Sequence, residues 1–165
     1  MCEFRYRLLL IVATCLMATL RIAAVMDKVD ITLPTTITFP VTDVRAATTG
    51  IPAPTLITFE KGNLHDNMHL QISVKANAAV GTPPGGGPAI PAGSFSWTVA
   101  NATGGSGFNG TLSYSDFTVV YQSIPWQHTA LTGTINLNWK MAPPPTGAYA
   151  GTHTLSITWK VESIQ

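Results

Sequence analysis

Cysteine is nearly absent from this chain. Cys2 and Cys15 are the only two among 165 residues, and both lie in an N-terminal segment that has the features of a leader. The rest of the chain therefore has no cysteine with which to form a disulfide. Exported domains with a small core often depend on disulfides. This domain is expected to be disulfide-free and stabilised by packing alone.

Charged residues are also scarce. They make up 10% of the sequence, and the formal net charge is +1. A typical soluble domain carries about a quarter charged residues. No basic patch suited to nucleic acid or anionic lipid is evident, so we expect no nucleic-acid partner. Beyond the N-terminal segment no apolar run approaches the ~20 residues that span a bilayer, so we expect no membrane span in the mature chain.

The first residues have the pattern of a signal peptide. Arg5 and Arg7 precede the apolar run Leu8–Leu20, and the small residues Ala23 and Ala24 follow it. A basic head, a short apolar core and small residues near the cut are typical of an export signal. We predict a signal peptide over residues 1–24 and a single domain over residues 25–165. A retained anchor and a lipid attachment are the alternatives. The expected location is extracellular, on the cell surface or in the periplasm.

The remaining sequence shows a two-residue alternation of apolar and polar side chains, which is the period of a half-buried strand. Helical periodicity never extends beyond about two turns. The 14 glycines and 12 prolines favour many turns. Short strands at regular spacing predict an all-β fold, an Ig-like antiparallel β-sandwich of about seven or eight strands. A closed barrel is the main alternative.

Two glycine-rich segments, 81–87 and 104–110, separate the predicted strands. Neither has the Gly-Lys-Ser/Thr ending of a phosphate-binding loop, and neither opens a helix. We interpret both segments as loops.

The first predicted strand has an unusually long apolar row. Pro34 and Pro40 donate no backbone hydrogen bond, so this strand must either pair fully on one side only or break. An apolar row close behind a cleavage site is suited to entering a sheet of another subunit, although an ordinary edge strand packed on its own core has the same pattern. The candidate assembly strand consists of Ile31, Leu33, Thr35, Ile37, Phe39 and Val41.

No catalytic or metal-binding constellation is recognisable. His65, Asp66 and His69 have metal-like spacing, but His69 opens a strand after a turn, so we interpret the three as solvated turn residues. No serine lies between glycines in a strand–turn–helix elbow, and no paired carboxylates have recognisable spacing. We therefore predict no enzyme, no metal and no cofactor.

Tryptophan occurs on strands and in one loop. Trp97, Trp139 and Trp159 lie on the apolar face of predicted strands, where a core position is expected. Trp126 lies in the apparent loop 124–128. There it is a candidate ligand contact that could stack on a glycan or anchor a partner, or it caps the end of the sandwich.

The segment from Pro144 to Thr152, followed by an alternating strand, resembles bacterial fimbrial subunits and spore-coat-U-like secreted proteins. Those proteins often have a Pro-x-Gly-x-Tyr-x-Gly turn before their last strand. The resemblance implies an exported Ig-like sandwich, and in many such proteins an N-terminal strand completes the sheet of the next subunit. The donated strand would then be Ile31 to Val41. The chain differs in lacking an intradomain disulfide and in having Ile164 where an aromatic residue is expected.

The leading hypothesis is a secreted cell-surface structural or adhesive protein, in its specific form a fimbria-like fibre subunit that assembles by strand exchange. Its partners would be further copies of itself or another surface protein. The alternative is a monomeric carbohydrate- or ligand-binding module with a glycan as partner.

Overall fold

The computed structural model describes residues 27–81 and 83–165. Within these residues the chain forms β-strands and two short 3-10 turns, Pro84–Gly86 and Ala92–Ser94, and contains no α-helix. The all-β prediction is therefore confirmed. The predicted signal peptide, residues 1–24, lies outside the described residues.

The described residues form thirteen strands, more than the seven or eight predicted. The additional ones are short pieces of two or three residues that pair locally. The strands are β1 (Lys28–Thr32), β2 (Thr36–Val41), β3 (Thr48–Thr49), β4 (Thr55–Asn63), β5 (His69–Ala76), β6 (Val80–Gly81), β7 (Ile90–Pro91), β8 (Phe95–Ala102), β9 (Gly105–Gly107), β10 (Gly110–Thr111), β11 (Thr118–Ser123), β12 (Leu131–Met141) and β13 (Gly151–Ile164).

The strands form two antiparallel sheets that pack on each other. Sheet 1 has the order β1-β4-β12-β8-β10, with β3 added to β12. Sheet 2 has the order β2-β13-β5-β11-β9, and β6 and β7 form a separate small pair. This arrangement confirms the predicted antiparallel sandwich.

The core lies between the sheets and is formed by the apolar rows. Because side chains alternate between the two faces of a strand, Ile135, Leu137, Trp139 and Met141 of β12 are all buried. Aromatic pairs join the two sheets. Phe39 packs on Phe95 at a centroid distance of 5.1 Å, and Phe59 packs on Tyr121 at 5.2 Å. Such pairs add about 0.5–1.5 kcal/mol each beyond the area they bury.

The first predicted strand is divided into two strands, β1 and β2, which is one of the two outcomes that its prolines predicted. β1 pairs with β4 in sheet 1, β2 pairs with β13 in sheet 2, and residues 33–35 cross from one sheet to the other. Two groups of β13 hold this crossover. The backbone N–H of Ile157 donates to the Thr35 carbonyl at 3.1 Å, and the indole N–H of Trp159 donates to the Pro34 carbonyl.

The segment 104–110, which was expected to be a loop, contains strands at the opposite side of the sandwich. β9 pairs with β11 in sheet 2 and β10 pairs with β8 in sheet 1, so the chain crosses between the sheets here as well. Glycine allows a close approach to large side chains. A Cβ at Gly107 would lie 2.6 Å from Cγ1 of Val99, and one at Gly110 would lie 2.4 Å from Cζ2 of Trp97. The loop interpretation is wrong because this close packing is invisible in the local sequence.

We predict that Gly110→Ala destabilises the domain. The added methyl would overlap the buried ring of Trp97, and overpacking of this kind typically costs about 1–3 kcal/mol. Urea unfolding should show a lower midpoint with an unchanged slope. The matched control is Gly93→Ala, since a Cβ there meets no atom within 4 Å. Equal midpoints for the two variants would contradict the close-packing explanation.

Candidate functional site

The candidate assembly segment lies at the edges of both sheets. β1 is the edge strand of sheet 1, and β2 is the edge strand of sheet 2. The apolar row of β2 is part of the core, because Ile37 and Phe39 are fully buried and Val41 is 2% exposed. Ile31 and Leu33 are half-buried and pack against the core, whereas Thr35 is exposed in the crossover. The apolar side chains of this segment therefore pack in the core of their own domain.

The prolines of this segment do not interrupt its pairing with β13. In an antiparallel ladder successive residues direct their backbone groups alternately to one neighbour and to the other. The Thr35 carbonyl accepts from Ile157, whereas Thr38 exchanges hydrogen bonds with Ile51 on the other side, at 3.2 and 2.8 Å. Even-numbered residues therefore face away from β13. Pro40 belongs to this set and removes no hydrogen bond to β13, whereas Pro34 lies in the crossover before β2, where its carbonyl accepts from the indole N–H of Trp159.

Trp126 lies in the loop 124–130 between β11 and β12, as the sequence predicted. The loop is held against the turn before β5. The Trp126 N–H donates to the Met68 carbonyl at 2.9 Å, and the Asn67 N–H donates to the Trp126 carbonyl at 3.3 Å. The Trp126 ring is half-buried, packs against the core and lies 5.0 Å from the His128 ring. It covers one end of the sandwich and also lines a cavity.

The three residues with metal-like spacing have separate partners. The Nδ1 of His65 lies 2.7 Å from Oδ1 of Asp27, Asp66 lies 3.3 Å from Nε2 of His128, and Nδ1 of His69 contacts the Ser123 carbonyl at 2.7 Å. Within the described ranges, no group of three or more His, Cys, Asp or Glu side chains is placed to hold a metal ion.

Asp27 is the ionisable group in this region whose pKa departs clearly from its ordinary value. Desolvation by partial burial raises the pKa of Asp27, but the neighbouring Ser163 hydroxyl, the hydrogen bonds from His65 and the positive charge of His65 outweigh that effect. The net result is a lowered pKa. The carboxylate of Asp27 therefore ties the beginning of β1 to the turn that contains His65.

A groove runs from β4 to the Trp126 loop. One cavity of about 550 Å³ and another of about 250 Å³ share Gly104, Ala130 and Thr132 in their walls, so the two adjoin. The walls of the larger cavity are formed by β4, by residues 103 and 104, and by the start of β12. The lining side chains include Thr58, Glu60, Lys61, Thr103, Thr132 and Thr134 in the larger cavity, and Trp126, Gln127 and Thr129 in the smaller one.

The groove combines hydroxyl groups, one carboxylate and one ammonium group with a tryptophan at one end. Thr103 and Thr134 are already hydrogen-bonded to each other at 3.1 Å, which fixes part of the floor. Hydroxyl, carboxylate and amide groups can bond a hydroxyl-rich ligand, and an indole supplies an apolar surface. Sequence reasoning identified Trp126 but missed these threonines, because they come from three distant segments.

The buried side chain of Tyr121 holds the backbone at the floor of this groove. Its hydroxyl donates to the Thr103 carbonyl at 3.0 Å, and burial raises the pKa of Tyr121 far above its ordinary value. The phenol therefore stays protonated and positions the backbone at the floor of the groove.

Among the described residues no helix is long and apolar enough to cross a membrane. Comparison with family models, with curated proteins and with solved structures finds no match to this chain.

Proposed function

We propose that this chain is an exported structural or adhesive protein of the cell surface, in which residues 28–41 can be exchanged between copies to build a fibre. The observation that supports the proposal is the position of this segment. It supplies fully buried core side chains, yet its two strands, β1 and β2, are edge strands of the two sheets. The interactions it makes within its own chain are available in the same form from another copy.

Exchange of identical elements is a low-cost route to association, because each domain receives from its neighbour the same interactions that its own segment would make. Here the ladder between β2 and β13 extends from Gly151–Val41 to Ser156–Thr36. An incoming β2 would complete sheet 2 by the same backbone hydrogen bonds and place Phe39 against Phe95. The predicted signal peptide provides the route out of the cytoplasm and places the segment near the mature N-terminus.

We predict that a domain beginning at residue 42 binds a peptide of residues 27–41 in trans. The peptide should restore the buried row of Ile37, Phe39 and Val41. Phe39→Ala in the peptide should weaken binding by roughly 100- to 4,000-fold, because truncation of a buried phenylalanine costs about 3–5 kcal/mol. Isothermal titration calorimetry measures this affinity.

The matched control for that titration is Thr36→Ala, since the Thr36 side chain is exposed. Strand exchange would be contradicted if the shortened domain folded but did not bind the peptide. It would also be contradicted if the Thr36→Ala peptide and the Phe39→Ala peptide bound with equal affinity. For the intact chain, light scattering over a range of concentrations together with negative-stain images should show oligomers or fibres.

A second candidate function is binding of a carbohydrate or another hydroxyl-rich ligand. The groove between β4 and the Trp126 loop supports it, since hydroxyl-bearing side chains and a half-buried tryptophan line two adjoining cavities. Protein pockets for small ligands have volumes of roughly 300–1,000 Å³, and the larger cavity falls within that range.

We predict under this second function that Trp126→Ala abolishes binding to those oligosaccharides that a glycan array identifies for the unmodified chain. Trp126→Phe is the control, because it keeps an aromatic surface and should retain part of the affinity. Circular dichroism must show the same fold for both variants. An array profile that stays the same after Trp126→Ala would refute the role of this residue.

A further inference from the structure

The last part of β13 has a partner strand on one side only. Residues 151–156 pair with β2, and residues 157–164 pair with β5 on the opposite side. The crossover at Thr35 accepts from Ile157, and beyond it no described strand pairs with this side of β13. The edge from Thr158 to Ile164 is therefore open, and we name it the β13 edge.

The direction of the backbone groups along the β13 edge follows from the ladder. The Ser156 carbonyl accepts from Asn77 on the β5 side, whereas Ile157 donates to the crossover on the other side. Because the direction alternates along an antiparallel strand, Trp159, Val161 and Ser163 present their N–H and C=O groups to the open side. Each of these three residues is partly exposed.

Other edges of the sandwich carry features that oppose further pairing. β1 has an irregular register between Lys28 and Asp30, the outer side of β2 carries Pro40 and a bridge to Ile51, and β9 is only three residues long. Natural proteins protect exposed edges by such means. The β13 edge has no proline, and its register with β5 is regular. A regular edge without a proline or a bulge is suited to receiving another strand.

We propose that the β13 edge binds the β13 edge of a second copy, antiparallel about a twofold axis at Val161. In this register Val161 exchanges both hydrogen bonds with its counterpart, and Trp159 faces Ser163 of the second copy. Lys160 then lies opposite Glu162 of the second copy, and the symmetry repeats this contact. Opposite charges at directly opposed positions stabilise an antiparallel pair.

The charges on this edge are already ordered within one chain. Lys160 and Glu162 form an ion pair at 2.8 Å, and Gln71 donates to Glu162 at 3.1 Å. Two copies would therefore bring together four charges of alternating sign. The pairing extends sheet 2 across two molecules and leaves residues 28–41 untouched, so it does not depend on the proposed strand exchange.

The alternative occupant of the β13 edge is β1 of another copy, continuing the register of β2. That register would place Asp30 opposite Glu162. Like charges at opposed positions are destabilising, so the observations favour pairing between two β13 edges.

Charge reversal tests the proposed register. We predict that the purified chain, residues 25–165, shows a concentration-dependent increase in mass toward a dimer in sedimentation equilibrium. Lys160→Glu alone and Glu162→Lys alone should each remain monomeric, because each places like charges opposite one another. A mixture of the two variants should regain the dimer, since one contributes only negative and the other only positive groups.

The proposal would be overturned if the chain remained monomeric up to about 1 mM. At that concentration even a dimer with an association free energy of only about −4 kcal/mol would be detectably populated. The proposal would also be overturned if a mixture of the two charge variants stayed monomeric while the unmodified chain dimerised. If Glu162→Lys alone strengthened association, β1 rather than β13 would be the occupant, and the proposed register would be wrong.

Cross-linking supplies an independent readout. The described residues contain no cysteine, so Val161→Cys introduces one thiol at the axis. Opposed residues in a hydrogen-bonded pair have Cα atoms about 5.5 Å apart, which is within the range of a disulfide. We predict rapid formation of a disulfide-linked dimer upon mild oxidation. Ser163→Cys is the control, because its counterpart is Trp159; equal cross-linking of both variants would overturn the register.

Discussion

The whole fold depends on burying the apolar rows of the longer strands between two sheets, because no disulfide joins residues 27–165. In sheet 1 this row includes Ile135, Leu137 and Trp139, and in sheet 2 it includes Ile37 and Phe39. Aromatic contacts between the sheets, such as Phe39 with Phe95, replace the covalent link found in many exported domains. The fold needs few ion pairs for its stability, since backbone hydrogen bonds and the burial of apolar side chains stabilise most of the interior.

That constraint also explains how the sides of the sandwich are closed. A sheet edge exposes unpaired backbone groups and the gap between the apolar faces. The chain closes one side with residues 28–41 and the other with residues 105–111, and each segment passes from one sheet to the other. The crossover at Pro34 is held by Ile157 and Trp159, so β13 anchors the same segment for which exchange is proposed. Where the crossover leaves β13, the open edge begins.

Both proposed modes of association therefore originate from β13. Its first half receives β2, and its second half is available for a second copy. The groove beside Trp126 lies elsewhere, on β4, β12 and the loop 124–130, so ligand binding and association can be tested separately. A surface protein that adheres and assembles would use these regions independently.

The sequence by itself determined the strands and their faces. The alternation of Leu155 and Ile157 with polar neighbours, or of Ile135 and Leu137, requires extended chain with one buried face, and this was enough to predict a sandwich. The prolines at 34 and 40 already predicted that the first strand would either break or pair fully on one side only. These features are local, because side-chain parity depends only on neighbouring residues.

Only the tertiary structure decided which strands pair and where they stop pairing. Residues 104–110 contain strands because β9 pairs with β11 and because Trp97 and Val99 accept glycine at close range. The threonines of the groove meet because β4, residue 103 and β12 are neighbours in space. The open β13 edge likewise exists because β2 ends at the crossover. Each of these outcomes depends on contacts between remote segments, and such contacts leave no periodic pattern in the sequence.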